Sequence, residues 1–71
     1  MRQEDITAVL RTDGPMTPRE IADRLGVKPW NANNIRADIS HALYMLEKYG
    51  IVRRVERSPK DNRQWIWELV D

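Results

Sequence analysis

The chain has 71 residues, and we expect residues 1–71 to form one small domain with a thin core. It contains no cysteine, which excludes disulfides and thiolate metal sites, and its 12 basic and 11 acidic side chains nearly balance. No basic and apolar leader opens the chain and no apolar run approaches the roughly 18 residues of a membrane helix, so we expect a cytoplasmic protein without a membrane partner.

The charge is unevenly distributed along the chain. Residues 1–27 carry four basic and five acidic side chains, whereas residues 28–64 carry eight basic and four acidic ones. A local excess of positive charge matters more for binding an anionic polymer than the sum over the chain does. The second half of the fold is therefore the place to look for a nucleic-acid surface.

The first predicted helix covers about Gln3 to Thr12. Ile6, Val9 and Leu10 recur there at helical spacing, which predicts one buried face. The run Asp13-Gly14-Pro15 is typical of a turn and ends this helix.

The second predicted helix has the clearest boundary signals. Thr17-Pro18-Arg19-Glu20 has the pattern of a capping box with proline at the first helical position. Gly26 follows about eight residues later and is typical of a helix C-terminus. The amides at the start of this helix, assisted by Arg19, are a candidate phosphate site, although the capping box competes for them.

The third predicted helix covers about Asn33 to Tyr49, and Gly50 ends it. Its apolar positions share one face: Ile35, Ile39, Ala42, Leu43 and Leu46. The sequence allows three starts for this helix. Pro29 is the first helical residue with Lys28 as the N-cap, or the N-cap is Asn31, or it is Asn33.

From residue 51 onward the pattern changes to a period of two. Val52–Arg57 and Arg63–Val70 are predicted strands, joined by the turn residues 58–62. Trp65 and Trp67 share a strand face and are expected to cover the core. The predicted class is α+β, mostly α, with three helices followed by a hairpin.

Three segments in this order resemble the winged helix-turn-helix superfamily of bacterial and archaeal regulators. "MTPREIADRLGV" (16–27) is similar to its positioning helix, "ISHALYMLEKYGIVRR" (39–54) to its recognition helix and wing entry, and "RQWIWEL" (63–69) to its returning wing strand. The resemblance implies a three-helix domain with a C-terminal two-stranded wing that binds double-stranded DNA in transcriptional control. Compared with the commonest pattern of this superfamily, the chain has about seven additional residues between Val27 and Ile39. These residues either lengthen the third helix at its start or form a loop.

Nine side chains are candidates for contact with DNA. A helix fits the major groove, and a basic hairpin beside it reaches the backbone or the minor groove. The alternatives are a solvated helix face and charged strands that discourage aggregation. The candidates on the third helix are Asn33, Arg36, Ser40, His41, Tyr44 and Lys48, and those on the wing are Arg57, Lys60 and Arg63. Arg53 and Arg54 are weaker candidates.

Other functions have less support in the sequence. No phosphate-binding loop, metal-ligand cluster or activated nucleophile is present, so we expect no catalytic residue, no cofactor and no enzyme. A lone His41 is a poor metal site. The main rival is a winged-helix module that binds another protein, which the near-neutral charge and Trp30 before the third helix favour. A homodimer through the first helix and the hairpin edge is also open.

Overall fold

A computed structural model of the chain describes residues 3–27 and 33–70, without the side chain of Asn33. It contains three helices and one antiparallel hairpin, which confirms the predicted mostly helical α+β class. The elements are α1 Gln3–Asp13, α2 Pro18–Leu25, α3 Asn33–Lys48, β1 Val52–Arg57 and β2 Trp65–Leu69. α3 begins at Asn33, so residues 33–38 of the stretch that holds the additional residues are helical. The starts predicted at Pro29 and Asn31, together with Trp30, lie outside the described part.

Both ends of α2 are capped as the sequence predicts. Thr17 is extended and its hydroxyl accepts a hydrogen bond from the Glu20 amide at 3.3 Å, while the Glu20 carboxylate accepts one from the Thr17 amide at 3.1 Å. At the other end Gly26 has a φ of 72°, which L side chains rarely adopt. The Val27 amide then donates to the Ala22 carbonyl at 3.1 Å and completes the cap.

The core lies between the three helices and one face of the hairpin. Its largest fully buried side chains come from four of the five elements: Ile6, Ile21, Ile39, Leu43 and Val52. Trp67 on β2 joins them and is 5% exposed, which confirms its predicted place in the core, whereas Trp65 is only partly buried against it. The hydrophobic positions predicted for each helix are thus the ones that meet.

The segment between α1 and α2 is attached to the hairpin. The Met16 amide donates to the Trp67 carbonyl at 3.0 Å, and the Trp67 amide donates to the Met16 carbonyl at 2.9 Å. This isolated antiparallel bridge uses backbone groups of β2 that β1 does not pair. It fixes the hairpin against the start of α2.

The hairpin differs from the sequence prediction in its strand bounds and in its register. β2 ends at Leu69 instead of Val70. β2 begins at Trp65 instead of Arg63, because Arg63 and Gln64 belong to the turn, where the Gln64 amide donates to the Asp61 carbonyl at 3.0 Å. Also, Arg54 pairs with Trp67 but Arg57 pairs with Trp65, so β1 has one additional residue at Val55. This bulge places Arg54 and Arg57 on the tryptophan side of the sheet, which strict alternation does not allow.

The capping box gives a direct test of the α2 start. Replacing Thr17 with alanine removes the acceptor for the Glu20 amide, and we expect the free energy of unfolding to fall by about 1 to 2 kcal/mol in urea denaturation. The matched control is Thr12→Ala, an exposed threonine of α1, which is expected to change it by less than about 0.5 kcal/mol. Equal effects of the two changes would contradict the capping role.

Candidate nucleic-acid interface

The exposed face of α3 carries the predicted contact residues. Arg36, His41 and Lys48 are exposed, Tyr44 is 57% exposed and Ser40 is partly buried. Asn33 is the first residue of α3, and its side chain lies outside the described part. The buried face of the same helix supplies Ile39 and Leu43 to the core, so the two faces are separated as the helical period predicts.

An open cleft of about 340 Å³ lies between α3 and the hairpin, and we call it the helix–hairpin cleft. Arg36, Ser40 and Tyr44 line it from α3, and Arg63 lines it from the turn. Four of the predicted contact residues therefore meet at one place. His41, Lys48, Arg57 and Lys60 do not line this cleft.

Lys60 lies on the other side of the turn. It lines a second open cleft of about 390 Å³, together with Arg19 and Arg24 of α2. Acidic side chains line that cleft too, including Glu20 and Asp23, so its charge is mixed. Lys60 and Arg63, although both belong to the turn, thus face different clefts.

The turn is held together by its own polar groups. Ser58 is 7% exposed, and its hydroxyl accepts hydrogen bonds from the Lys60 amide at 3.3 Å and the Asp61 amide at 3.4 Å. Asp61 in turn accepts from the Arg63 amide at 3.1 Å. These are the local side-chain-to-backbone bonds that serine and aspartate form in turns. The sequence predicts the turn from these residue types, but it does not predict that Ser58 and Asp61 support the backbone at Lys60 and Arg63.

Gln64 connects the turn to α2. Its side-chain carbonyl accepts a hydrogen bond from the Arg19 amide at 3.2 Å. Together with the capping box, this bond gives the amides of Arg19 and Glu20 protein partners. The α2 start is therefore not a free set of donors, which disfavours the candidate phosphate site there. Nothing local to residue 64 indicates this contact, because Arg19 is 45 residues away.

The hairpin cations divide into paired and unpaired ones. Arg53 forms an ion pair with Glu68 at 2.6 Å, and Arg54 forms one with Glu47 at 3.1 Å. The Arg57 guanidinium stacks on the Trp65 ring, 4.6 Å from its centroid, and donates to the Asn62 carbonyl at 3.1 Å.

Seven cations have no carboxylate within 4.0 Å in the described residues: Arg11, Arg19, Arg36, Lys48, Arg57, Lys60 and Arg63. All seven are exposed, and all except Arg11 and Arg19 belong to the predicted contact set. Within residues 3–27 and 33–70, no three acidic or histidine side chains form a group that could hold a metal ion, and no helix is long and apolar enough to cross a membrane.

Comparison with solved structures identifies the fold. The chain superimposes on the transcriptional regulator PA4135 with a TM-score of 0.72 at 29% identity, covering 96% of this chain and 44% of that one. It superimposes on Tm0710 from Thermotoga maritima, also a transcriptional regulator, with a TM-score of 0.72 at 25% identity, covering 96% and 42%. The PcaV transcriptional regulator from Streptomyces coelicolor, solved with its natural ligand, gives 0.74 at 22%, covering 97% and 43%.

These likenesses define the class of protein: the chain folds as a winged helix-turn-helix domain, as the sequence resemblance implied. Its particular neighbours are transcriptional regulators, and it spans less than half the length of each of these three. No protein-family model and no curated protein matches the sequence.

The Gln64 contact predicts a measurable link between the turn and α2. Replacing Gln64 with alanine leaves the Arg19 amide without its acceptor, and we expect a loss of about 0.5 to 1 kcal/mol of stability. Amide hydrogen exchange of residues 58–64 should quicken as well. The matched control is Asn62→Ala, because Asn62 accepts the bond from Arg57 through its backbone carbonyl. Unchanged exchange in Gln64→Ala would show that this contact does not hold the turn.

Proposed function

We propose that this chain binds double-stranded DNA and acts in transcriptional regulation. α3 enters the major groove, and the hairpin lies on the adjacent backbone or in the minor groove. The observation that carries the proposal is the helix–hairpin cleft, where Arg36, Ser40 and Tyr44 of α3 meet Arg63 of the turn. The winged-helix fold shared with transcriptional regulators supports it.

The geometry of α3 suits the major groove. A helix with its side chains is about 10 to 12 Å across, and the groove is about 12 Å wide. Arg36 is the best candidate for a two-point contact with a guanine edge or for a phosphate. Ser40 and His41 have the hydrogen-bonding groups to reach base edges, as does Asn33 by its position in α3. Lys48, in the last turn, suits the backbone.

The hairpin supplies the second part of the proposed interface. Lys60 and Arg63 are exposed and have no ion-pair partner in the described residues, so a phosphate can bind them without displacing a carboxylate. Arg57 retains one hydrogen bond to the turn and its stack on Trp65, and it contributes charge from behind the tip. Phosphate contacts of this kind fix the position of a protein on the duplex rather than its sequence preference.

The alternative function is a winged-helix module that binds a protein. The regulator neighbours favour DNA over it. A cytoplasmic location and a non-enzymatic role follow from the proposed function. A homodimer on a palindromic site remains a prediction, because this chain spans less than half of each neighbour's length.

The experiment that tests the proposal is titration of a labelled random-sequence duplex at several salt concentrations. We expect dissociation constants of roughly 10⁻⁴ to 10⁻⁶ M that rise with salt. The pair Lys60→Ala and Arg63→Ala should lower the slope of log affinity against log salt by about 1.8, since each phosphate contact contributes about 0.9.

The control is Arg11→Ala, which removes one cation instead of two, because Arg11 is exposed on α1 and lines neither cleft. This change should leave the slope within about 0.3 of the original value. A lack of binding by the unaltered chain at low salt would reject DNA binding and favour the protein-binding alternative. If the unaltered chain binds DNA and the double variant has the same salt slope, the proposed hairpin contacts are rejected while DNA binding itself is retained.

A further inference from the structure

Arg54 lies in a different environment from the other described cations of the hairpin. Its side chain is 33% exposed, compared with 67% for Arg53 on the same strand. The guanidinium carbon lies 5.2 Å from the centroid of the Trp67 ring, 5.3 Å from that of Tyr44 and 5.8 Å from that of Trp65. Three aromatic rings therefore surround a cation that connects the hairpin to α3.

Glu47 completes this environment from the C-terminal part of α3. Its Oε1 accepts a hydrogen bond from Arg54 Nη2 at 3.2 Å, and its Oε2 lies 3.1 Å from Nε. The second distance is that of an ion pair, but the direction of the Nε–H group does not suit a hydrogen bond. The Glu47 side chain is 35% exposed, so about two-thirds of each partner's side chain is buried.

Arg54 is also the partly buried residue of β1 that lies nearest to the turn. Val52 is buried in the core, whereas Arg53 and every residue from Val55 to Arg57 are exposed. On the side of α2, the turn is attached through Gln64. On the side of α3, Arg54 contacts Glu47 and Tyr44.

We propose that the Arg54–Glu47 pair fixes the turn of the hairpin relative to α3 and so positions Arg63 for DNA, with Arg54 itself making no phosphate contact. This inference rests on the proposed DNA-binding function. Arg63 and Arg36 line the same cleft from opposite sides, so a change in the hairpin angle alters the distance between them. A rigid duplex binds both only when that distance matches its backbone.

The first test uses the sign of an effect. Glu47→Gln removes a negative charge close to the proposed interface, which by general electrostatics strengthens DNA binding. If Glu47 positions Arg54, the same change instead weakens binding, by roughly fivefold to tenfold. The control is Glu56→Gln, which removes the same charge from an exposed residue of β1 without an ion pair in the described residues. It should leave binding equal or tighter. Tighter binding in Glu47→Gln would overturn the proposal.

The second test is a double-mutant cycle between Arg54→Gln and Arg63→Ala. If Arg54 positions Arg63, the loss caused by Arg63→Ala is at least threefold smaller when Arg54 is already replaced. If Arg54 binds a phosphate independently, the two losses multiply and each lowers the salt slope by about 0.9. Multiplied losses would therefore overturn the positioning role. Thermal midpoints are measured for every variant, and Arg54→Lys, which retains the charge but loses the planar group, should restore binding only in part.

A third measurement does not depend on DNA. In nuclear magnetic resonance spectra of the free chain, Glu47→Gln and Arg54→Gln should shift the amide signals of residues 58–64, and Glu56→Gln should leave those of residues 60–64 in place. Unshifted signals in the first two variants would overturn the proposal even if the chain binds DNA. Shifted signals in a chain that binds no DNA would retain the positioning of the hairpin and reject the proposed function.

Discussion

The packing of Trp67 is the interaction on which the rest of this structure depends. Its side chain is 5% exposed in the core, and its backbone forms both hydrogen bonds of the bridge to Met16. It also pairs with Arg54 across the sheet. One residue thus joins the segment before α2, the hairpin and the group of aromatic rings around Arg54. In a chain of 71 residues the apolar area available for burial is small, so a single large ring carries a large share of it.

The position of the hairpin follows from this arrangement. Two strands alone form a marginal unit in water, and here β2 gains a partner on its second edge at Met16. Gln64 adds a bond to α2, and Arg54 adds one to α3. The hairpin is therefore held from two helices as well as from the core, which gives its exposed turn a defined place beside the outer face of α3.

The sequence predicts the elements better than it predicts their meeting points. The α2 boundaries were predictable because capping signals act over three or four residues, as Thr17 and Gly26 show. The buried face of α3 was predictable from its period. The cleft was not, because Arg63 and Gln64 line it from a turn instead of from the predicted strand. The face of Arg57 was not predictable either, because it depends on the bulge at Val55. Those features are settled by packing and by hydrogen bonds between residues far apart in the chain.

The same distinction applies to the charges. The number of basic residues in the hairpin region predicts an anionic partner, but a count treats all of these cations as equivalent. They are Arg53, Arg54, Arg57, Lys60 and Arg63. The structure separates them by their neighbours: two are in ion pairs, one is stacked on an aromatic ring, and two lack a carboxylate partner among the described residues. A cation that already has a partner must lose it before it binds a phosphate, and that loss offsets the new contact. The cations that shape the hairpin and those available to a ligand are consequently different residues, although the sequence places them side by side.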